Sequence, residues 1–261
     1  MSIQTALITG ASAGIGRCYA EALAQRGVPE LILTARRGDR LQTLAETLHR
    51  QHGPRCRILP LDLAAPGATA TLVNELGDTP VDLLINNAGY GYYGDFLGQE
   101  PADLTRMLQL NMIALTELTR ALLPGMVARG DGRIINIAST AAFQPIPYFS
   151  AYSASKAYVL SFSEALWAEY GDRGVRILAV CPGPTRTEFF DVAGMSGNAK
   201  IGETMTMERP EDVVQHSLEA LERGEASCVT GNWMAQALTR LPRLFPRETL
   251  VKAIASQFRP D

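Results

Sequence analysis

Short apolar runs alternate with longer amphipathic stretches along most of the chain. Each apolar run ends in turn-forming residues, a pattern that predicts a β-strand. Seven strands are predicted, over residues 4–9, 30–35, 56–61, 81–85, 133–138, 175–180 and 226–230. The stretches between them carry apolar residues at helical spacing. Helices are predicted from the first turn to about Arg26, over 38–52, from about Pro66, over 101–129 as one helix or two, over 150–170 and over 210–223.

This alternation of strands and helices predicts the architecture. Parallel strands need a crossover connection, and a helix usually supplies it. Right-handed crossovers then place helices on both faces of the sheet. Near-continuous apolar strands, such as the run at 31–33, are typical of strands that are covered on both faces. We therefore expect an α/β fold built on a doubly wound parallel sheet.

The chain length bears on domain organisation. A chain of 261 residues fits one large domain better than two small ones. We therefore predict a single domain over 1–261. The segment at about 189–207 is rich in Gly, Met and small residues and is predicted to be a lid, because long irregular segments in compact domains are usually functional. A helical tail is predicted at about 231–261.

Composition excludes several classes of function. The net charge of −3 gives no reason to expect nucleic acid as a partner. The four cysteines are scattered without a CxxC pair, which predicts neither a disulfide framework nor a zinc site. His49 and His52 have no third ligand nearby in sequence, so we interpret them as a solvated face and predict no metal. Strand-like sequence begins at Ile3, and no apolar run is long enough to span a bilayer, so we expect a cytoplasmic protein.

Three glycines occupy the turn between the first strand and the first helix. They are Gly10, Gly14 and Gly16, in the segment TGASAGIG at 9–16. In an open α/β sheet, ligands bind beyond the carboxyl ends of the strands. Glycines there let the backbone approach a pyrophosphate, and the helix N-terminus offers free N–H groups to it. The turn thus predicts a dinucleotide-phosphate site, and the alternative is a plain glycine turn.

Two arginines, Arg36 and Arg37, follow the second strand. A site for NAD favours a carboxylate at this point, which accepts a hydrogen bond from the ribose 2′-OH. Guanidinium groups instead pair well with a 2′-phosphate. We therefore predict NADP(H) as cofactor. The alternatives are that the arginines are a solvated helix start, or that Asp39, the nearest acid, favours NAD.

A candidate acid–base group lies in the predicted helix over 150–170. Tyr152 and Lys156 are four residues apart, so their side chains share one helix face. A nearby ammonium lowers the pKa of a phenol, which makes the pair a tunable acid or base. Ser139 follows the fifth strand and either holds a substrate oxygen beside Tyr152 or serves as a helix-cap serine. Asn111, in an apolar helical stretch, either positions a water near Lys156 or fills a polar slot in the core.

Other polar and small residues follow the remaining strands. Asp62 comes after the third strand, at the edge where an adenine would lie. The segment NNAG at 86–89 follows the fourth strand, and PGPTRT at 182–187 follows the sixth. All three are candidate cofactor contacts. The alternative is that they are ordinary turns, since Asn, Asp, Gly and Pro are common turn formers.

Taken together, these motifs resemble the short-chain dehydrogenase/reductase family, in its single-domain branch. The resemblance runs from about Ile3 to Thr187, with a weaker fit to Thr230. It is carried by TGASAGIG at 9–16, NNAG at 86–89, Asn111, Ser139, YSASK at 152–156 and PGPTRT at 182–187.

The resemblance implies a fold and a mechanism. The fold would be a Rossmann-type parallel sheet of seven strands in the order 3-2-1-4-5-6-7. Tyr152 would be the general acid in reduction and the general base in oxidation. Lys156 would lower the Tyr152 pKa and bind the nicotinamide ribose, Ser139 would orient the substrate, and Asn111 would complete a proton relay through water. Relatives usually form dimers or tetramers that pack the helices of Asn111 and Tyr152 against a neighbour.

The predicted cofactor contacts combine the turn motifs with the catalytic pair. They are Gly10, Ser12, Ala13, Gly14, Ile15, Gly16, Arg36, Arg37, Asp62, Leu63, Asn87, Ala88, Gly89, Tyr152, Lys156, Pro182, Gly183, Thr185 and Thr187. One position departs from the pattern, since many relatives that prefer NADP carry a basic residue where this chain has Ala13. The NADP(H) prediction therefore rests on Arg36 and Arg37.

Three aromatic or methionine-rich loops, at 90–97, 141–149 and 189–207, predict the substrate pocket. Their candidate lining residues are Tyr90, Tyr92, Tyr93, Phe96, Phe143, Tyr148, Phe189, Phe190, Met195, Met205 and Met207. Such a lining suits an apolar carbonyl or secondary alcohol. By resemblance, the chain is similar to carbonyl, hydroxysteroid and long-chain 3-oxoacyl reductases.

Two other functions remain open at this point. One is reduction of a 3-oxoacyl thioester, within the same class of enzyme. The other is a non-catalytic dinucleotide-binding sensor or scaffold, which has no need for Ser139, Tyr152 and Lys156 together.

The tail presents Leu250, Val251, Ile254 and Phe258 on one helical stripe among basic residues. We expect this helix to pack on its own domain or on a partner subunit. The alternative is a basic amphipathic helix on a membrane surface.

Overall fold

A seven-stranded parallel sheet forms the centre of the molecule. The computed structural model describes residues 3–195, 207–231, 236, 239 and 246–259. The strands are β1 (Thr5–Thr9), β2 (Glu30–Ala35), β3 (Arg55–Pro60), β4 (Leu83–Asn86), β5 (Gly132–Ile137), β6 (Val175–Cys181) and β7 (Ser227–Val229). Their order is β3-β2-β1-β4-β5-β6-β7, and all six pairings are parallel. The predicted fold class and strand order are confirmed.

Helices connect the strands on both faces of the sheet. They are α1 (Gly14–Gln25), α2 (Gly38–His52), α3 (Ala68–Leu76), α4 (Pro101–Leu108), α5 (Leu115–Arg129), α6 (Ser150–Tyr170), α7 (Phe189–Val192), α8 (Pro210–Arg223) and α9 (Arg247–Phe258). The helix predicted from about Pro66 begins two residues later. Gly67 precedes it with φ +75°, a left-handed conformation that cannot continue a right-handed helix.

The predicted helical stretch over 101–129 is divided in two. A single π-helical segment, Gln109–Ala114, joins α4 to α5 and contains Asn111. Such π segments inside α-helices occur frequently at functional sites, because the wider turn redirects side chains. The division places Asn111 inside the molecule, with an exposed fraction of 1%.

The core lies in two layers, one on each face of the sheet. Neighbouring residues of β1 point to opposite faces, and both layers are fully buried. Ile8 packs in the layer with Leu23 of α1 and Val213 of α8. Leu7 packs in the other layer, with Leu72 of α3 and Leu118 of α5. Burial on both faces explains why the strands are apolar without interruption.

A buried hydrogen-bond network ties the central strands to the helices that flank them. Asn86 Nδ2 donates to Asn136 Oδ1 at 2.9 Å and to Thr119 Oγ1 of α5 at 3.1 Å. Asn136 Nδ2 in turn donates to Ser163 Oγ of α6 at 2.9 Å. These contacts fix α6, the helix of Tyr152, against the middle of the sheet.

The described part of the tail packs on its own chain. Ile254 and Phe258 of α9 are buried in an apolar cluster with Phe149 and Tyr152. The Tyr93 hydroxyl donates to the Phe258 carbonyl oxygen at 2.8 Å. This packing covers the apolar stripe that the membrane-surface alternative required. Among the described residues, no helix has the length and apolar character that crossing a bilayer requires.

Candidate active site

A cleft of about 760 Å³ opens at the carboxyl edge of the sheet. All seven strands are parallel, so the segments that follow them gather at this one edge. The segments after the first six strands all contribute to the lining. Its volume lies within the usual range for a site that binds a cofactor or small molecule.

Nearly all of the predicted cofactor contacts line this cleft. The lining includes Gly10, Ser12, Ala13, Gly14, Ile15, Arg36, Arg37, Asp62, Leu63, Asn87, Ala88, Gly89, Tyr152, Lys156, Pro182, Gly183, Thr185 and Thr187. Gly16 is the exception, because it lies beneath the turn. A Cβ there would overlap the Gly10 carbonyl oxygen and Asn87 Nδ2, so Gly16 allows α1 to pack closely against the turn.

The glycine turn forms a cradle with free backbone donors. Gly10 has φ +68° and Gly14 has φ +53°, conformations that favour glycine. A Cβ at Gly14 would lie 3.0 Å from Thr187 Cγ2, so the turn also approaches the loop after β6 closely. Helix α1 begins at Gly14 without a side-chain cap. Its first N–H groups therefore remain available to an anion such as a pyrophosphate.

The turn after β4 braces the glycine turn. Asn87 Nδ2 donates to the Thr9 carbonyl oxygen at 2.9 Å. In the opposite direction, Thr9 Oγ1 accepts hydrogen bonds from the backbone N–H groups of Asn87 and Ala88, each at 3.0 Å. The segment NNAG, which follows β4, thus stabilises the conformation of the glycine turn that follows β1.

The far end of the cleft carries several charged groups. Asp62 forms an ion pair with Arg106 at 2.6 Å. Arg37 donates from Nε and Nη2 to Ser12 Oγ, each at 3.3 Å. Arg36 is exposed and forms no ion pair with any residue that the structure describes. The end of the cleft predicted to receive a 2′-phosphate therefore holds a guanidinium without an ion-pair partner among the described residues.

The predicted catalytic pair lies at the wall of the cleft. Tyr152 and Lys156 have exposed fractions of 6% and 5%. Lys156 Nζ lies 5.7 Å from the centroid of the Tyr152 ring and donates to the Ile137 carbonyl oxygen at 2.7 Å. Ser139 also lines the cleft, and its side chain acts to lower the Tyr152 pKa. Ser139 Oγ accepts from Ala141 N at 3.1 Å, so it caps the short helix that follows.

Burial sets the pKa values of this pair. It raises the pKa of Tyr152, and the smaller effect of the Ser139 side chain lowers this pKa only in part. Burial also lowers the pKa of Lys156 to about 8. The prediction that Lys156 lowers the Tyr152 pKa stays a prediction, because the shift of Tyr152 is caused by its burial and by Ser139.

Asn111 lies behind the cleft lining. Its Nδ2 donates to the Tyr90 carbonyl oxygen at 2.9 Å and to Ser155 Oγ at 3.1 Å, and its Oδ1 accepts from Tyr90 N at 3.2 Å. A Cβ at Gly89 would lie 3.0 Å from Asn111 Oδ1 and 3.5 Å from Lys156 Nζ. Asn111 thus fills a buried polar slot next to Lys156, and its relay through water stays a prediction.

Aromatic rings surround Tyr152 at the end of the cleft where the substrate pocket is predicted. Phe149 stacks on Tyr152 with ring centroids 4.3 Å apart, and Phe189 lies 5.3 Å away. Gly91 makes room for these rings, because a Cβ there would lie 2.5 Å from Phe149 Cζ. The predicted pocket residues that line the cleft are Tyr90, Phe143, Phe189, Phe190 and Met195.

Other predicted pocket residues lie outside the cleft lining. They are Tyr92, Tyr93, Phe96, Tyr148 and Met207, while Met205 falls outside the described residues. Phe96 begins a short 3-10 helix and is 57% exposed. Tyr93 directs its hydroxyl to Phe258. Tyr148 packs in the apolar cluster of Phe149 and Tyr152, with a strained φ of +63°.

Sequence reasoning missed several residues that line the cleft. Ile146, Phe149 and Gln144 belong to a loop that was predicted to line it, but the pattern did not show which side chains face inward. Phe258 and Glu188 had no signal, because their contacts involve residues more than 140 positions away. Among the described residues, no cluster of three or more His, Cys, Asp or Glu side chains could hold a metal ion.

The sheet, the glycine cradle and the Tyr152–Lys156 pair define a doubly wound α/β protein with a nucleotide-type cleft and a buried acid–base group. A sequence model of the family described as short chain dehydrogenase matches residues 4–196. The chain therefore belongs to the short-chain dehydrogenase/reductase family, whose members are oxidoreductases that act on carbonyl and hydroxyl groups.

Individual relatives cover nearly the whole chain. The ketoacyl reductase HetN from Nostoc sp. is 31% identical over 91% of this chain and 82% of its own. A short-chain dehydrogenase from Sphingobium yanoikuyae, solved in complex with NADPH, is 35% identical with a TM-score of 0.84, covering 96% and 95% of the two chains. The bulky-bulky ketone specific alcohol dehydrogenase from Comamonas testosteroni is 31% identical with a TM-score of 0.80, covering 97% and 95%.

The lowered pKa of Lys156 predicts a pH-dependent difference in stability between the wild type and Lys156→Met. Between pH of about 8 and 10.5, the unfolded wild type binds a proton on this lysine that the folded chain has lost. Raising the pH through this window therefore stabilises the wild type relative to the variant, by up to the order of 3 kcal/mol. Urea unfolding of both proteins from pH 7 to 10.5 measures the difference, and parallel pH profiles would contradict it.

Proposed function

We propose that this chain is an NADP(H)-dependent oxidoreductase that interconverts an apolar carbonyl compound and its secondary alcohol. The observation that carries the proposal is that the Ser139 and Tyr152 side chains line the same cleft, with Lys156 buried next to Tyr152. Two hydroxyl groups at this point can bind one carbonyl oxygen together. Tyr152 is then placed to transfer a proton to that oxygen.

The protonation state of Tyr152 suits reduction. Burial raises its pKa, so the phenol keeps its proton at neutral pH and acts as a general acid. Ser139 orients the substrate oxygen, because its hydroxyl lines the cleft with Tyr152 and is held in place by the hydrogen bond from Ala141 N. With a pKa of about 8, Lys156 is mostly an ammonium at pH 7, and this charge favours the phenolate that remains after proton transfer.

The residues of the cleft fit a nicotinamide dinucleotide. The uncapped N-terminus of α1 and the turn with positive φ at Gly10 and Gly14 suit a pyrophosphate. Arg36 and Arg37 suit a 2′-phosphate, and the similar dehydrogenase from Sphingobium yanoikuyae was solved with NADPH. When bound, such a cofactor supplies or accepts the hydride that complements the proton of Tyr152.

The aromatic wall supports a bulky apolar substrate. Phe149, Phe189, Phe190 and Phe258 all line the cleft in the part that contains Tyr152. The similar alcohol dehydrogenase from Comamonas testosteroni is specific for ketones with two bulky substituents. A long-chain 3-oxoacyl thioester is the second candidate, favoured by the similarity to the ketoacyl reductase from Nostoc sp.. An NADPH-oxidation screen of bulky ketones against 3-oxoacyl thioesters, compared by kcat/KM, separates the two.

Self-association also forms part of the proposal. Ile113, in the π segment next to Asn111, is 42% exposed, and Trp167 on the helix of Tyr152 is 39% exposed. Large apolar side chains exposed on these two elements favour the homodimer or homotetramer that the resemblance implies.

Tyr152→Phe tests the acid–base role. Removal of the hydroxyl should lower kcat for ketone reduction by about 10²- to 10⁴-fold, because proton transfer loses its donor. The binding of NADPH, measured by fluorescence titration, should change little. Tyr158→Phe is the matched control, since Tyr158 lies on the same helix with its hydroxyl 2.8 Å from Thr116 Oγ1 and does not line the cleft. Full turnover by Tyr152→Phe would refute the mechanism.

Arg36→Asp tests the cofactor assignment. A carboxylate at this position repels a 2′-phosphate and removes a charge-assisted hydrogen bond. The NADPH/NADH ratio of kcat/KM should therefore fall about 10- to 100-fold. Arg50→Asp is the control, because it reverses an exposed charge on α2 away from the cleft. An unchanged ratio in Arg36→Asp would show that this arginine does not select the cofactor.

Phe258→Ala tests the substrate end. Loss of this ring widens the cleft, so kcat/KM for a diaryl ketone should rise at least about fivefold relative to that for a small methyl ketone. Ile254→Ala controls for loosening of α9, since Ile254 is buried in the same cluster but does not line the cleft. An equal change of the ratio in both variants would mean that Phe258 has no specific role.

A further inference from the structure

A carboxylate that the sequence analysis did not single out lies at the phosphate end of the cleft. Glu188 follows Thr187 directly and precedes α7. Its Oε2 accepts from Arg37 Nη1 at 2.8 Å, and its Oε1 accepts from Arg40 Nη1 at 2.6 Å. One carboxyl group thus binds two guanidinium groups that come from the segment after β2.

Arg37 links this carboxylate to the glycine turn. Its Nε and Nη2 donate to Ser12 Oγ, while its Nη1 donates to Glu188. Ser12, Arg37 and Glu188 all line the cleft. Of the three arginines near this end, Arg37 and Arg40 are therefore engaged by Glu188, and only Arg36 forms no ion pair with the part of the chain that the structure describes.

Electrostatics makes Glu188 an anion under ordinary conditions. The hydrogen bonds from Arg40 and Arg37 hold the pKa of the Glu188 carboxyl below its usual value. A 2′-phosphate needs the same kind of donors, because guanidinium groups bind carboxylates and phosphates through the same N–H geometry. The 2′-phosphate is also repelled by a nearby carboxylate, because both groups are negatively charged.

We propose that Glu188 is a specificity-determining residue that competes with the cofactor's 2′-phosphate for Arg37. The inference rests on the proposed use of NADP(H) and deepens it. A bound phosphate takes over hydrogen bonds that Glu188 makes in the free chain, so part of the phosphate's binding energy replaces an existing ion pair. Glu188 consequently lowers the preference for NADP(H) over NAD(H) below the preference that Arg36 and Arg37 alone would give.

A supporting role for Glu188 would change phosphate binding in the opposite direction. If Glu188 instead held Arg37 in the correct orientation for a phosphate, its removal would weaken phosphate binding. The sign of the effect of Glu188→Gln therefore separates competition from support. Glutamine retains the length and the hydrogen-bonding capacity of the side chain and removes only the charge.

The test measures binding of the adenosine half of the cofactor alone. Isothermal titration calorimetry compares adenosine 2′,5′-bisphosphate with adenosine 5′-monophosphate, which lacks only the 2′-phosphate. Glu188→Gln should lower the Kd of the bisphosphate about 3- to 10-fold and leave that of the monophosphate within about twofold, because only the bisphosphate competes with Glu188 and exposed ion pairs contribute modestly. The gain in affinity for the bisphosphate should shrink when the salt concentration rises from about 0.05 M to 0.5 M, because salt screens exposed charges.

Glu225→Gln is the matched control. Glu225 is an exposed carboxylate in a 2.7 Å ion pair with Arg223, and it precedes β7 at the opposite edge of the sheet. Tighter bisphosphate binding in both variants would reflect net charge and would overturn the inference, as would an unchanged or raised Kd in Glu188→Gln. A wild type that binds the two nucleotides equally would overturn the NADP(H) assignment itself, and the inference with it.

Discussion

The junction between the turns after β1 and β4 is the contact on which the cleft depends. Thr9 and Asn87 exchange hydrogen bonds across this junction, so the cradle cannot move independently of the neighbouring strand. Gly16 then lets α1 approach without a side chain in between. Through the buried Asn86–Asn136 network, the same strands hold α6. The phosphate end and the catalytic end of the cleft are therefore positioned by one rigid centre.

Burial shifts the pKa values of Tyr152 and Lys156, and it also has an energetic cost. Tyr152 and Lys156 are both removed from water, which favours the neutral form of each group. For Tyr152 this direction suits an acid. For Lys156 it opposes the ammonium, and the hydrogen bond to the Ile137 carbonyl oxygen offsets part of the loss. The site thus retains a polar group in the core, where an apolar residue would be more stable.

The sequence predicted the sheet and the turns that line the cleft well, for a physical reason. Turn motifs such as TGASAGIG and NNAG act through the backbone, and a parallel sheet brings every such turn to one edge. The substrate end was predicted less well. Phe96 and Tyr148 are aromatic, as predicted for the pocket, but they lie outside the cleft lining. Phe149 and Phe258 line the cleft instead. The orientation of an aromatic side chain in a loop depends on packing between segments that are distant in sequence. The pairing of Glu188 with Arg37 depends on such packing too. A local sequence pattern predicts neither.

The hydrogen bond from Tyr93 to Phe258 joins residues 165 positions apart. Segments that lie outside the sheet and its two core layers open locally more easily than the sheet itself. Helix α9 is attached through that bond and an apolar cluster, whereas the sheet is held by its own ladders and two core layers. Detachment of α9 would enlarge the room around Tyr152 while leaving the nucleotide end intact. The two ends of the cleft therefore differ in how firmly the fold anchors them.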